Sequence, residues 1–154
     1  MVWCLYGCAF DLNSHFDGVG FVVGDEYDQF ICGHRKAMSF DPVFSPAHIE
    51  ALVGKVACRL VLEQGFGPAR FETDSLVLVQ AIHSIHDYAV LLRVVYEDVL
   101  HLFSQLPGCT FTHLYRDGNH AAYSLARWTL KCRPYNIFFA STPFLKDVIT
   151  IDCN

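Results

Sequence analysis

The hydrophobic pattern of this chain changes from the period of a strand to the period of a helix near residue 45, and this change restricts the folds that the chain can adopt. Before it, three segments alternate in the period of a strand, at Val2–Phe10, Gly18–Val23 and Phe30–Arg35. Such alternation is typical of half-buried strands, and turn-rich pieces separate the three segments. The first third of the chain is therefore predicted to form three consecutive antiparallel strands.

Helical spacing begins after the change. Ser45-Pro46 is typical of a helix start, because serine caps the first turn and proline fits the first helical position. Apolar residues then recur every three or four positions until Gly65, a typical helix end. Further strands are predicted at Ala69–Thr73 and Cys109–Tyr115, and further helices at 76–82, 91–106 and 119–131. This order predicts an α/β fold with a five-stranded mixed sheet flanked by helices.

The composition favours a single domain with one core. Of 154 residues, 53% are hydrophobic and 18% are charged, which excludes a disordered chain. We expect a domain at 1–132 and an apolar tail at 133–154 that packs on it. Seven cysteines, an odd number, fit reduced thiols. Since the chain has neither an apolar run of membrane length nor a signal peptide, we expect an intracellular protein, cytoplasmic or nuclear, with no membrane partner.

The charge balance limits how this protein could bind nucleic acid. Sixteen acidic residues against eleven lysines and arginines give a formal net charge of -5. This net charge repels a polyanion at long range, so nucleic-acid binding would need a local basic patch or metal ions.

Two carboxylates stand where α/β sheets commonly hold their sites, at strand ends and helix starts. Glu50 is expected in the first turn of the long helix, and Asp74 directly follows the strand Ala69–Thr73. Each also has an ordinary structural explanation, because an acid in the first turn favours the helix dipole and an Asp after a strand is often an N-cap.

Several short blocks follow one another in an order that covers essentially the whole chain. They are Gly18–Val23 with Asp25, Ala47–Leu52, Glu72–Ile82, Phe111–Asn119, Ser124–Arg127 and Ser141–Leu145. The block Glu72–Ile82, ETDSLVLVQAI, is similar to the signature of ribonuclease H type-1 domains, and the chain resembles the plant retroelement-derived branch of that family. The resemblance implies a ribonuclease H-like fold, which requires the element order derived above.

The resemblance also implies a partner and a chemistry. Members of this family bind an RNA–DNA hybrid and hydrolyse its RNA strand with two magnesium ions, which four carboxylates hold; manganese is a possible substitute. By motif match, Glu50 and Asp74 are two of these catalytic metal ligands. Arg116, Asn119 and His113 match a strand-to-helix turn that could contact phosphate or sugar, although Arg116 could instead pair with Asp117 on the surface.

The other two carboxylate positions depart from the family pattern. In a gapless register Gly7 occupies the first-strand position, and in the last helix Tyr123 stands where the family has Asp or His. Asp11 is the alternative first-strand acid, but it requires a hairpin shortened by four residues and a shift of about 13 Å along the strand. Asp11 could equally be a turn residue.

Three functions follow from this incomplete set. They are a working magnesium-dependent ribonuclease, an inactive domain that still binds nucleic acid, and a domain whose acidic surface and apolar tail serve protein contacts. Because glycine supplies no bridging oxygen, we expect one weakly bound magnesium ion at most, with activity greatly reduced or absent. The groove for the hybrid is expected to remain.

Overall fold

The computed structural model describes residues 1–11, 16–27, 29–38, 45–83, 90–132 and 136–138. The strands are β1 (Val2–Asp11), β2 (Phe16–Gly24), β3 (Phe30–Met38), β4 (Ala69–Thr73), β5 (Thr110–His113) and β6 (Asn136–Phe138). The helices are α1 (Pro46–Gln64), α2 (Leu76–His83), α3 (Val90–Ser104) and α4 (His120–Cys132), and a 3-10 turn covers Arg116–Asn119.

Within these ranges the strands form one sheet in the order β5-β4-β1-β2-β3-β6. Strand β1 runs antiparallel to β2 and parallel to β4. The predicted mixed sheet of five strands is confirmed, and the short strand β6 adds to it by pairing with β3. The remainder of the tail, from 139 onward, lies outside the described residues, so its packing and the boundary at 132 stay predictions. No helix in the described ranges is long and apolar enough to cross a membrane.

The two faces of the sheet bury different helices. Alternate side chains of β1 point to opposite faces of the sheet. Cys4 and Tyr6 join the core with α1 and α3, whereas Trp3 and Leu5 pack with α4. This division follows from the two-residue period of a strand. The end of β1 therefore lies between α1 on one face and α4 on the other.

Two glycines of β2 let α4 approach the sheet closely. A Cβ at Gly18 would lie 2.0 Å from the backbone oxygen of Ala126, and one at Gly20 would lie 2.3 Å from that of Ala122. These are helix backbone atoms that no rotamer change can move away. The absence of side chains at these two glycines therefore allows the short distance between the sheet and α4, the helix that carries Tyr123.

One of two expectations about helix α1 is confirmed and the other is wrong. Its cap is as predicted, because the Ser45 hydroxyl accepts the backbone N–H of His48 at 3.2 Å and Gly65 ends the helix at φ 68°. Glu50, however, is the fifth helical residue and begins the second turn, so its predicted place in the first turn is wrong. The favourable interaction with the helix dipole falls off beyond the first turn, which weakens that explanation for Glu50.

Candidate functional site

The parallel pairing of β1 and β4 brings two positions of the family pattern together. The last paired residues are Leu5 and Glu72. Continuing this register by two residues on each strand places Gly7 opposite Asp74. Asp11 is the last residue of β1, opposite Phe16, about 13 Å further along the strand. The side chain of Asp11 lies outside the described residues. By strand register, position 7 is therefore the neighbour of Asp74.

Glu50 reaches the same end of β1 from α1. The thiol of Cys8 donates to Glu50 Oε1 at 3.1 Å, and the other carboxyl oxygen is buried without a partner among the described residues. Burial, aided by the negative charge of Asp74, raises the pKa of Glu50 to about 7, while the Cys8 hydrogen bond and the charge of Arg116 oppose this shift. A carboxyl with this pKa is partly protonated at neutral pH, and a proton on the unpartnered oxygen lowers the cost of burying it.

Cys8 is a member of the site that the sequence motifs did not indicate. Burial and the neighbouring Glu50 raise the pKa of this thiol far above its ordinary value, so it remains a donor. Cys4, Cys8, Cys32, Cys58 and Cys109 are free thiols, which agrees with the expectation of reduced cysteines for the described part of the chain. Strand alternation was the available signal, because Cys8 must face the opposite side from Gly7.

The raised pKa of Glu50 predicts a pH-dependent stability. The native state keeps the proton between the ordinary pKa of 4.5 and about 7, whereas the unfolded chain loses it. The free energy of unfolding should therefore be greatest below this window and fall by about 2–3 kcal/mol as pH rises through it. Urea denaturation of wild type and Glu50→Gln at pH 5 and pH 8 measures the difference.

Glu50→Gln keeps the shape and removes the titration, so it should lose most of this pH dependence. Asp17, buried with a pKa raised to about 6, contributes with the same sign in both proteins and cancels from the comparison. Equal slopes for the two proteins would contradict a buried, protonated Glu50.

Asp74 forms an ion pair with an arginine and does not cap helix α2. Arg116 Nε donates to Asp74 Oδ2 at 3.1 Å, and the two side chains are 77% and 18% exposed. Ser75 takes the capping role in α2, because its hydroxyl accepts the backbone N–H of Leu78 at 3.4 Å. The alternative in which Arg116 pairs with Asp117 is wrong for this structure.

A local basic patch lies beside this pair. The guanidinium carbons of Arg116 and Arg127 lie 5.8 Å and 5.9 Å from the ring centroid of Tyr123. We call these three residues the Arg116–Arg127 patch. Next to it Tyr115 is 83% exposed, with its ring 5.7 Å from that of His113. The patch brings two guanidinium groups to one ring, and one of them is paired with Asp74; local cations of this kind are what nucleic-acid binding would need in an acidic protein.

Asn119 faces the interior. It is buried, and its Nδ2 donates to the backbone carbonyl of Tyr6 at 2.8 Å, which fastens the 3-10 turn to β1. His113 is half-buried, whereas Arg116 is open to solvent. The contacts of all three with nucleic acid stay predictions.

The side chains present do not fit a two-metal site. A Cβ at Gly7 would lie 3.3 Å from the backbone nitrogen of Tyr123, so positions 7 and 123 adjoin, and neither carries a carboxylate. A neutral phenol is a poor ligand for magnesium. In the described ranges, no group of three or more His, Cys, Asp or Glu could hold a metal ion. Asp74 is already paired with Arg116, so we derive no step through a metal.

Comparison with known proteins identifies the fold. The family described as "Reverse transcriptase-like" matches residues 7–129. A crystal structure of RNase H1 from the archaeon Halobacterium salinarum is 18% identical, with a TM-score of 0.75, over 85% of this chain and 98% of that one. The N-terminal RNase H domain of a Mycobacterium tuberculosis protein is 18% identical, with a TM-score of 0.68, over 86% and 94%.

A third structure is LC11-RNase H1 in complex with RNA/DNA hybrid, a protein isolated from compost by a metagenomic approach. It is 15% identical, with a TM-score of 0.70, over 83% of this chain and 95% of that one. A search of curated proteins gave no significant match. The predicted ribonuclease H-like fold is confirmed; the plant retroelement branch stays a prediction.

Proposed function

Because this chain belongs to the reverse transcriptase-like family and is a ribonuclease H-like domain, we propose that it binds RNA–DNA hybrid and hydrolyses the RNA strand slowly or not at all. The observation that carries this proposal is the Arg116–Arg127 patch, which lies at the sheet end beside Asp74 in a protein of net charge -5.

The chemistry of the patch supports binding. Guanidinium groups match the geometry of phosphate oxygens, and arginine is among the side chains that contact the phosphates of a nucleic-acid backbone. The exposed ring of Tyr115 beside Arg116 offers a face on which an unpaired base could stack. A related fold, that of LC11-RNase H1, has been solved with RNA/DNA hybrid.

The carboxylate set supports weak hydrolysis. Two-metal hydrolysis needs oxygens that bridge and flank both ions. Gly7 and Tyr123 supply no carboxylate, and the pKa of Glu50 is raised to about 7, which further reduces its negative charge. Each loss weakens metal binding, so turnover should be affected more severely than binding.

Titration with a labelled RNA–DNA hybrid at increasing salt tests binding. We expect an affinity that falls steeply with salt, and Arg127→Ala should weaken it about 3- to 10-fold and lower the salt slope by about one. Arg93→Ala is the matched control, because Arg93 makes an exposed pair with Glu97 on α3. A protein that shows no salt-dependent affinity for hybrid would contradict the proposal and favour protein contacts.

Cleavage assays with magnesium and with manganese test the proposal that hydrolysis of the RNA strand is slow or absent. We expect little or no RNA product from wild type in either ion. Efficient cleavage that Asp74→Asn abolishes would show a working ribonuclease, and the proposal of weak hydrolysis would then be wrong.

A further inference from the structure

We propose that Arg116 takes the place of a metal ion at the carboxylate site, so that this domain contacts a phosphodiester through a built-in guanidinium without a divalent cation. For the ligand, the inference rests on the proposed function; for the exclusion of metal, it rests on the geometry alone.

The position of Arg116 carries the argument. Its Nε donates to Asp74 Oδ2 at 3.1 Å, and its guanidinium carbon lies 5.8 Å from the centre of the Tyr123 ring. The cation therefore stands between the strand-end carboxylate and the helix position where the family has its fourth ligand. Asp74 is only 18% exposed, and its Oδ2 already accepts the Arg116 hydrogen bond, so this oxygen is occupied at the position where a metal ion would need it.

The charge of Arg116 would oppose a metal ion at this carboxylate. The Arg116 Nε lies 3.1 Å from Asp74 Oδ2, so a divalent ion that approached Asp74 would meet the repulsion of the guanidinium. Arginine remains charged at all ordinary pH values, so this counterion is permanent.

The guanidinium has room for a ligand. Arg116 is 77% exposed, and its bond to Asp74 uses Nε, so its terminal amino groups remain available to a phosphate oxygen. Asp74 would hold the planar group in one orientation while the group bound phosphate. A guanidinium bound in this way positions a phosphodiester but does not activate water as a metal ion does.

Manganese binding in the absence of nucleic acid tests the exclusion of metal. Electron paramagnetic resonance of free Mn²⁺ would be followed during titration of wild type, Arg116→Ala, Arg116→Lys and the control Arg93→Ala. We expect Arg116→Ala to bind Mn²⁺ on the order of tenfold more tightly than wild type. Arg116→Lys and Arg93→Ala should resemble wild type, and Asp74→Asn added to Arg116→Ala should remove the gain. Equal Mn²⁺ affinity of wild type and Arg116→Ala would overturn the inference.

Hybrid binding in EDTA and in magnesium tests the phosphate contact. We expect wild type to bind at least as tightly in EDTA as in magnesium, and Arg116→Ala to lose affinity at least about fivefold in EDTA, whereas Arg93→Ala does not. Hybrid binding by wild type that requires magnesium would contradict the inference. If hybrid does not bind under any condition, the proposed function fails, and the manganese titration still decides whether Arg116 excludes metal.

Discussion

The double variant Gly7→Asp, Tyr123→Asp is expected to cleave RNA–DNA hybrid in magnesium at least about 100-fold faster than wild type. The two substitutions return carboxylates to adjoining positions beside Asp74, and the added charge exceeds the single charge of Arg116. Electrostatic groups that act directly on the reacting atoms commonly contribute factors of this size. Initial rates of RNA-strand cleavage, with manganese in parallel, measure the gain.

The control is Gly7→Asn, Tyr123→Asn, which adds nearly the same volume without charge and should remain inactive. A Cβ at position 7 would have contacts of 3.3 Å and 3.4 Å, so a cost of about 1–2 kcal/mol in stability is expected and melting curves must accompany the assay. If the folded double variant is no faster than its Asn control, Gly7 is not the missing position. Loss of residual wild-type activity in Asp11→Asn would point to Asp11 instead.

Gly18→Ala is expected to destabilise the fold by at least about 4 kcal/mol, enough to unfold much of the protein at 25 °C. The new methyl carbon would lie 2.0 Å from the backbone oxygen of Ala126, so β2 and α4 would have to separate. Urea denaturation followed by circular dichroism measures the loss.

Gly65→Ala separates this effect from the general cost of replacing a glycine. Gly65 has φ 68°, but nothing lies within 4 Å of its added Cβ, so only about 1–2 kcal/mol of backbone strain is expected. A loss for Gly18→Ala no greater than that for Gly65→Ala would mean that α4 is not held close to the sheet.

Local sequence patterns predicted the elements and part of the site. Alternation before Ser45, helical spacing after it and the two later strand segments were sufficient for the order of strands and helices, because alternation and helical spacing are local properties. The block around Asp74 was sufficient to identify the family. The registers of β1 with β2 and β4 then make Gly7 the neighbour of Asp74. The roles of Glu50, Asp74, Asp11 and Tyr123 in chemistry stay predictions.

The contacts within the site were beyond local patterns. Cys8 and Glu50 are 42 residues apart in sequence, as are Asp74 and Arg116, and each pair meets only after the sheet has assembled. The alternative partner considered for Arg116 was its sequence neighbour Asp117, because local patterns cannot indicate a partner as distant as Asp74. Strand β6 has three residues, too few for alternation to be recognised.

Strand β6 has a consequence for how the protein could be shortened. It pairs with β3 at Gly33–Arg35, where it satisfies backbone groups of a strand that would otherwise lie at the edge of the sheet. A truncated protein that stopped at the end of α4 would expose these donors and acceptors as an open edge. Open edges recruit strands from other molecules, so the truncated chain would tend to aggregate even though its core was intact.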